Sequence, residues 1–201
     1  MSYIITSLIS YLIGSFNTAY FYAKAHGFDI RERGSMNAGA SNIKVNFGWA
    51  AGVFTGLCDM FKAIMAMKLC AYLFPDNEVI PYLAGAMVIV DHIFPFYMGF
   101  KGGKGFASFI GLLVAVNWKL AIVVCILTVI ISFTTNYIVL ATLTVILIPP
   151  FYYLYMKADI RIVLIFAAIA LLIGYKHRVN IKRIINHEEI GVIDKKKKIK
   201  N

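Results

Sequence analysis

Three short polar stretches hold residue types suited to binding and moving negatively charged groups. The first, Gly34-Ser35-Met36-Asn37-Ala38-Gly39-Ala40-Ser41-Asn42, mixes Gly, Ser and Asn, which suits a tight loop turning several backbone N–H groups toward one anion. The second, Phe100-Lys101-Gly102-Gly103-Lys104-Gly105, adds two ammonium groups and leads into an apolar run; a helix starting there would favour phosphate at its N-terminus. It is not a nucleotide loop of the Walker type, because Gly105 stands where Ser or Thr would hold magnesium. The third, His177-Arg178-Val179-Asn180-Ile181-Lys182-Arg183, combines an imidazole with guanidinium and amide donors. Each stretch also has a plain reading. Gly-Ser-Asn runs form ordinary loops, Lys-rich loops anchor topology, and a single His at an interface often does no more than sit there. Their convergence at one membrane depth favours chemistry.

The elements that must bring them together are membrane helices. The chain has 201 residues, of which 60% are hydrophobic and 15% charged, against about 45–50% and about 25% in soluble domains. The apolar surplus is gathered into long runs that need lipid to cover them. Spans are expected at residues 2–23, 49–74, 80–98, two short or tilted helices within 106–133, then 137–156 and 160–175, seven in all. Gly14-Ser15-Phe16-Asn17 interrupts the first, Asn117-Trp118-Lys119 divides the fourth from the fifth, and Pro149-Pro150 should bend or break the sixth. The first run lacks a basic leader and a cleavage site, so it is expected to be a retained span.

The fold class is therefore all-α and polytopic, with residues 1–175 as one transmembrane domain and 176–201 as a basic tail. Of the 20 Lys and Arg residues, 15 fall in the first loop, the Lys101–Lys104 loop and the tail. The positive-inside rule makes these cytoplasmic and the N-terminus external. The net charge of +10 could suggest nucleic acid, but the cations flank apolar runs as topology determinants do, so no nucleic-acid partner is expected. Residues 195–198 are expected to form a solvated or lipid-surface tail. The three cysteines, Cys58, Cys70 and Cys125, lie unpaired in apolar stretches and are expected to be small buried hydrophobes. Within the spans, Asp59 and Lys62 stand three apart on one helix, a spacing that permits pairing. Asp91-His92 sits near a span end, and intramembrane ionisable groups carry function by default.

These residues resemble the bacterial acyl-phosphate:glycerol-3-phosphate acyltransferases of the PlsY type. The family's three motifs can be followed over 34–48, 92–108 and 177–189, with FPFYMGFKGGKG a specific signal. The Tyr11-to-Ser15 lead-in, Asp29-Ile30-Arg31 and the Asp59–Lys62 pair match as well. The resemblance implies a seven-helix protein of the bacterial inner membrane with its active site toward the cytoplasm. Its reaction would move a fatty acyl group from acyl phosphate to the 1-hydroxyl of glycerol 3-phosphate, giving lysophosphatidate and phosphate. It also implies partnership with membrane lipid and with the enzyme that supplies acyl phosphate, and neither cofactor nor metal.

By resemblance, Ser35, Lys104, His177 and Asn180 hold glycerol phosphate and assist proton movement, and Gly39, Ala40 and Ser41 receive the acyl-phosphate phosphoryl group. Asn37, Asn42, Lys44, Lys101, Gly102, Gly103 and Thr142 complete the expected binding set. The chemistry fits independently. An acyl phosphate is an activated anhydride, so a held and oriented hydroxyl can attack it without an enzyme nucleophile. The His-x4-Asp pattern of acyl-CoA-dependent acyltransferases is absent, since Tyr97 and Lys182 occupy the Asp positions.

The chain departs from the family pattern at several places. Met36 and His187 replace Gly, Asp91 replaces another Gly, Ser41 replaces Thr, and Val45, Asn136 and Val139 stand where Arg, Arg and Ser are usual. Two guanidinium groups are thereby lost, and Lys44 with Lys104 is expected to make good the missing charge. The competing readings are a catalytically inactive or re-purposed relative that binds a lipid precursor, and a small anion transporter. The transporter would want paired broken spans near the midplane, whereas the polar groups here gather toward one interface.

Overall fold

Polar side chains that break or cap helices decide where this chain turns. The computed structural model describes residues 1–193; the 195–198 tail lies outside them. Its first span is two helices, α1 (Ser2–Gly14) and α2 (Thr18–Ala25). The break at Ser15–Asn17 frees two backbone carbonyls inside the bundle, and Lys62 Nζ donates to both, Gly14 O at 3.0 Å and Phe16 O at 2.9 Å. Without water, freed backbone groups must find such partners. Asn17 caps α2 by accepting from the Tyr20 amide. Gly14 lets α1 lie against α5, because a Cβ there would press on the Val88 backbone.

A short loop with a 3-10 turn (Ile30–Glu32) leads to α3 (Ala40–Phe47), after which α4 (Trp49–Leu73) and α5 (Ile80–Ile93) form an antiparallel pair. The helix α6 (Phe106–Val116) has 11 residues, about 16 Å of rise, roughly half a hydrocarbon core. It packs on α4 through Gly111, where a Cβ would overlap the Met60 backbone. Asn117 stops it and caps α7 (Trp118–Thr135) through the Leu120 amide. Division at Asn117 was expected; a full-length α7 of 18 residues was not. Among the described residues, six helical units are long and apolar enough to cross a membrane, with α6 as a seventh, shorter apolar helix. The prolines act as anticipated, since α8 (Ile138–Val145) and α9 (Ile148–Tyr155) separate just before Pro149.

The final helix α10 (Ile160–Ile185) runs ten residues beyond the expected 160–175, because nothing in Lys176–Arg183 breaks a helix. The third motif therefore sits on the last turns of this helix. The core lies between α4, α5, α6 and α10, around Phe109, Phe166, Ile89, Leu112 and Ile173. Polarity is inverted relative to a soluble bundle. Thr6, Ser10, Asp59, Lys62, Asp91, His92, His177 and Asn180 are buried, while Leu8, Leu12, Phe61, Ile126, Ile130 and Leu171 are exposed. Lipid accounts for that inversion. Cys125 is exposed on the apolar face rather than buried, Cys58 is half-buried and Cys70 buried.

The two ends of the bundle are fixed by hydrogen bonds. Tyr3 receives Asn77 and Arg161 at one end. At the other, Lys104 meets Asn180, Arg183 reaches Ser35 O, and Val192 bonds Asn136. All three polar stretches thus share the end opposite the N-terminus.

Candidate active site

A polar cavity of about 700 Å³ opens at that end. Its lining places six cations, Arg31, Lys101, Lys104, Lys176, Arg178 and Arg183, against the carboxylates Asp29 and Glu32. Arg31 is the most committed of the six. Its guanidinium pairs with Asp29 at 2.6 Å and donates to Met98 O at 2.6 Å, pinning the first loop to the second. That bonding holds the Asp29 carboxyl below its usual range. Among the described residues, Arg183 Nη1 bonds Ser35 O alone, at 3.5 Å. Its fork is therefore the more available for an anion.

A second, largely apolar cavity of about 430 Å³ adjoins the first and runs between α3, α7, α8 and the segment after α10. Gly39, Ala40, Ser41, Lys44, Thr142 and His177 line it together with Val53, Phe106, Val129, Phe133, Ile138 and Val139. Ser35, Asn37, Lys104 and Asn180 belong to both linings. They mark the junction of a cationic chamber with an apolar groove.

The junction is tightly wired. Lys104 Nζ donates to Asn180 Oδ1 at 2.6 Å, and Asn180 Nδ2 donates to Glu189 Oε1 at 2.6 Å. Burial pushes the Lys104 ammonium down to about 8, against the opposing pull of Glu189. His177 is 4% exposed, and its Nδ1 lies 2.8 Å from Ile173 O. A carbonyl can only accept, so Nδ1 carries the proton and Nε2 keeps its lone pair in the neutral ring. At the head of the groove Gly39 caps α3. The first-turn amides of Ala40 and Ser41 have no protein partner among the described residues, whereas Asn42 and Ile43 both bond Gly39 O. Two free N–H groups on a helix N-terminus make an oxyanion cradle.

Several expected residues serve other purposes. Asn42 lines neither cavity and is fully buried. Its Oδ1 accepts from the Ser35 amide and its Nδ2 donates to Ile30, Arg33 and Asn37 carbonyls, so it ties the loop together. Gly102 and Gly103 give their N–H groups to Ile93 O and His92 O, which leaves no phosphate cradle there. They are glycines because a Cβ on Gly102 would overlap His92 O, and one on Gly103 would overlap His92 Nε2. Gly103 lines neither cavity.

Lys44 stacks 3.7 Å from the Trp49 ring centroid and lines the groove rather than the polar chamber. Arg183, Arg178 and Lys176, absent from the expected site set, line the chamber as further cations. Lys176 and Arg183 lie four before and three after Asn180 on one helical face, which was a readable signal. Met36 and His187, expected as Gly by resemblance, both have left-handed φ of 58°, the conformation that favours glycine. Asp59, Lys62 and His92 form the buried polar knot of the bundle, with Lys62 Nζ 3.2 Å from Asp59 and 3.0 Å from His92 Nδ1.

A polytopic helical membrane protein whose cationic chamber meets an apolar groove defines the class, one built to unite a phosphorylated polar molecule with a lipid chain. The family model described as glycerol-3-phosphate acyltransferase matches residues 4–187. Glycerol-3-phosphate acyltransferase 1 of Oceanobacillus iheyensis is 34% identical over 198 residues, 94% of each chain. The Desulfotalea psychrophila glycerol-3-phosphate acyltransferase is 37% identical over 186 residues, 90% of this chain and 94% of its own. Crystal structures of PlsY (YgiH), an integral membrane glycerol 3-phosphate acyltransferase, superpose at 27% identity. The glycerol 3-phosphate form has a TM-score of 0.88, covering 95% of this chain and 96% of its own, and the lysophosphatidic acid form has 0.85, covering 95% of each. This chain belongs to the glycerol-3-phosphate acyltransferase family.

Proposed function

We propose that this protein is an acyltransferase that moves a fatty acyl group from acyl phosphate to the 1-hydroxyl of glycerol 3-phosphate. The observation that carries this reading is the sharing of Ser35, Asn37, Lys104 and Asn180 by the cationic chamber and the apolar groove. Glycerol phosphate fits the chamber, its phosphate met by Arg183 and Lys104. The acyl chain lies in the groove with its phosphoryl oxygens on the Ala40 and Ser41 amides at the α3 N-terminus. The acceptor hydroxyl then faces the acyl carbonyl at the junction, and His177 Nε2 takes its proton. The new C–O bond forms as the bond from acyl carbon to phosphate oxygen breaks, and phosphate departs with the released electron pair. Held geometry substitutes for a covalent enzyme intermediate.

The same reading places the junction toward the cytoplasm of the cell membrane, in bacteria the inner membrane, with an external N-terminus. The basic loop and tail segments support this through the positive-inside rule. Residues 1–175 would carry the transmembrane machinery and 176–201 the basic continuation. An enzyme supplying acyl phosphate would act at the same membrane. Purified protein given acyl phosphate and labelled glycerol 3-phosphate should form lysophosphatidate and phosphate in equal amounts. Release of phosphate without lysophosphatidate, at saturating acceptor, would favour a re-purposed relative instead.

A further inference from the structure

Beyond Ile185 the chain does not trail away. His187 reverses it with a φ of 58°, and the amides of Glu188 and Glu189 both close onto Arg183 O, at 2.8 and 3.2 Å. Residues 189–192 then run along the apolar groove, where Glu189, Ile190, Gly191 and Val192 all contribute to its lining. They face Thr128, Val129, Ser132 and Phe133 on one side of α7, and Ile138, Val139 and Thr142 on α8.

The far end of this strap is fastened at one residue. Asn136 caps α7 in the left-handed conformation, φ 64°. Its backbone oxygen accepts from the Val192 amide at 2.8 Å, and its side-chain Oδ1 accepts from the Ile193 amide at 2.9 Å. A guanidinium has five donors and no acceptor, so an Arg at 136 could not make the second bond. The Asn that replaces the expected Arg therefore has a positive role in this chain.

We infer that the strap of residues 189–192, clamped by Asn136, is a wall of the acyl groove and determines which acyl chains this enzyme accepts. The inference rests on the acyltransferase reading and specifies its lipid substrate. Val192 lines the groove beside the clamp, while the α7 and α8 walls are fixed by their helices. The strap is the adjustable side. Chain selectivity must then respond both to the volume at 192 and to the fastening at 136.

The test uses full-length protein in lipid nanodiscs and a series of saturated acyl phosphates from dodecanoyl to octadecanoyl. The variants are Val192→Ala, Val192→Phe, Asn136→Gly and Asn136→Asp; Gly tolerates the left-handed backbone, and Asp keeps the acceptor. A buried methylene is worth about fourfold in binding. Val192→Ala should shift kcat/KM toward the longer chains by roughly that factor, and Val192→Phe toward the shorter ones. Asn136→Gly should flatten the profile and Asn136→Asp should restore it. A general structural loss would lower every chain length alike, so the ratio between lengths is the deciding quantity. Unchanged ratios in an active enzyme overturn the inference. Should the wild type make no lysophosphatidate, the acyltransferase reading falls. Binding of non-hydrolysable acyl phosphonates over the same lengths then decides the strap's role by the same ratios.

Discussion

Raising the pH should cost this enzyme its acceptor before it costs anything else. Burial at the junction disfavours the charged form of Lys104 and brings its pKa to about 8, against about 10.4 for a free lysine. A bound phosphate dianion favours the charged form. Affinity is therefore greatest well below pH 8 and declines as the pH rises through it. At pH 7 about nine-tenths of the ammonium is charged, and at pH 9 about one-tenth. The KM for glycerol phosphate should accordingly climb about tenfold between those two values. The ceiling is the full charge-assisted bond, about 1.5–3 kcal/mol, or roughly 10- to 150-fold. The phosphate itself is already a dianion above about pH 6 and adds no slope in this window. The assay is lysophosphatidate formation over acceptor concentration from pH 6.5 to 9.5, with acyl phosphate replenished to offset its alkaline hydrolysis. Lys104→Arg carries a charge at every pH tested and should flatten the curve, whatever its absolute rate. A wild-type KM that stays level to pH 9.5 would refute the placement of Lys104 on the acceptor phosphate.

Further outcomes follow from the same geometry. His177→Ala should lower kcat by roughly 100-fold or more while glycerol-phosphate KM moves little; near-normal turnover would remove the imidazole from proton transfer. Lys44→Ala should leave the acceptor KM within about twofold, because its ammonium stacks on Trp49 and a cation–π contact is worth only about 0.5–1 kcal/mol at such a site; Arg183→Ala should raise that KM at least about tenfold. Asn42→Ala deletes five hydrogen bonds in a buried loop and should cost roughly 3 kcal/mol, read as a lower midpoint in thermal unfolding followed by a thiol dye. Single cysteines at Glu32, Lys101 and Asn186, in a background without the native three, should resist an impermeant thiol reagent in intact cells, whereas one at Lys157 should react; the opposite pattern would invert the proposed orientation.

The helical architecture was legible because lipid imposes a one-dimensional rule, long apolar runs separated by polar breaks. Asn117 and the paired prolines marked their breaks correctly, since capping and the missing proline amide act locally. The length of α10 was misjudged for the opposite reason. Hydropathy falls at Lys176, but a helix has no cause to stop where lipid does. Within the site, charge and glycine content located the right loops but not the duty of each residue. Gly103 and Asn42 read as ligands because Gly and Asn suit anions and tight loops equally. Only the approach of His92 to Gly103, and the five side-chain bonds of Asn42, distinguish the two uses. The direction of Lys44 was not legible, because sequence adjacency to Val45 says nothing of it; on α3 it turns to Trp49. Arg183 stood in the third polar stretch but not in the expected binding set, although it shares a helical face with Asn180, and that periodicity was available from the sequence.

The meeting of chamber and groove at Ser35, Asn37, Lys104 and Asn180 has a kinetic consequence. In the proposed reading each substrate occupies one arm and arrives by its own route, the one from water and the other from the bilayer, so neither has to precede the other. The product is different. Lysophosphatidate joins the polar head to the acyl chain and must lie across both arms together. While it stays it excludes either substrate, and inhibition by added product should be competitive against both. Release requires a head to leave a cationic chamber and a chain to leave a groove in one event. Departure sideways into the leaflet, with the chain never leaving lipid, is the path that exposes least apolar surface to water.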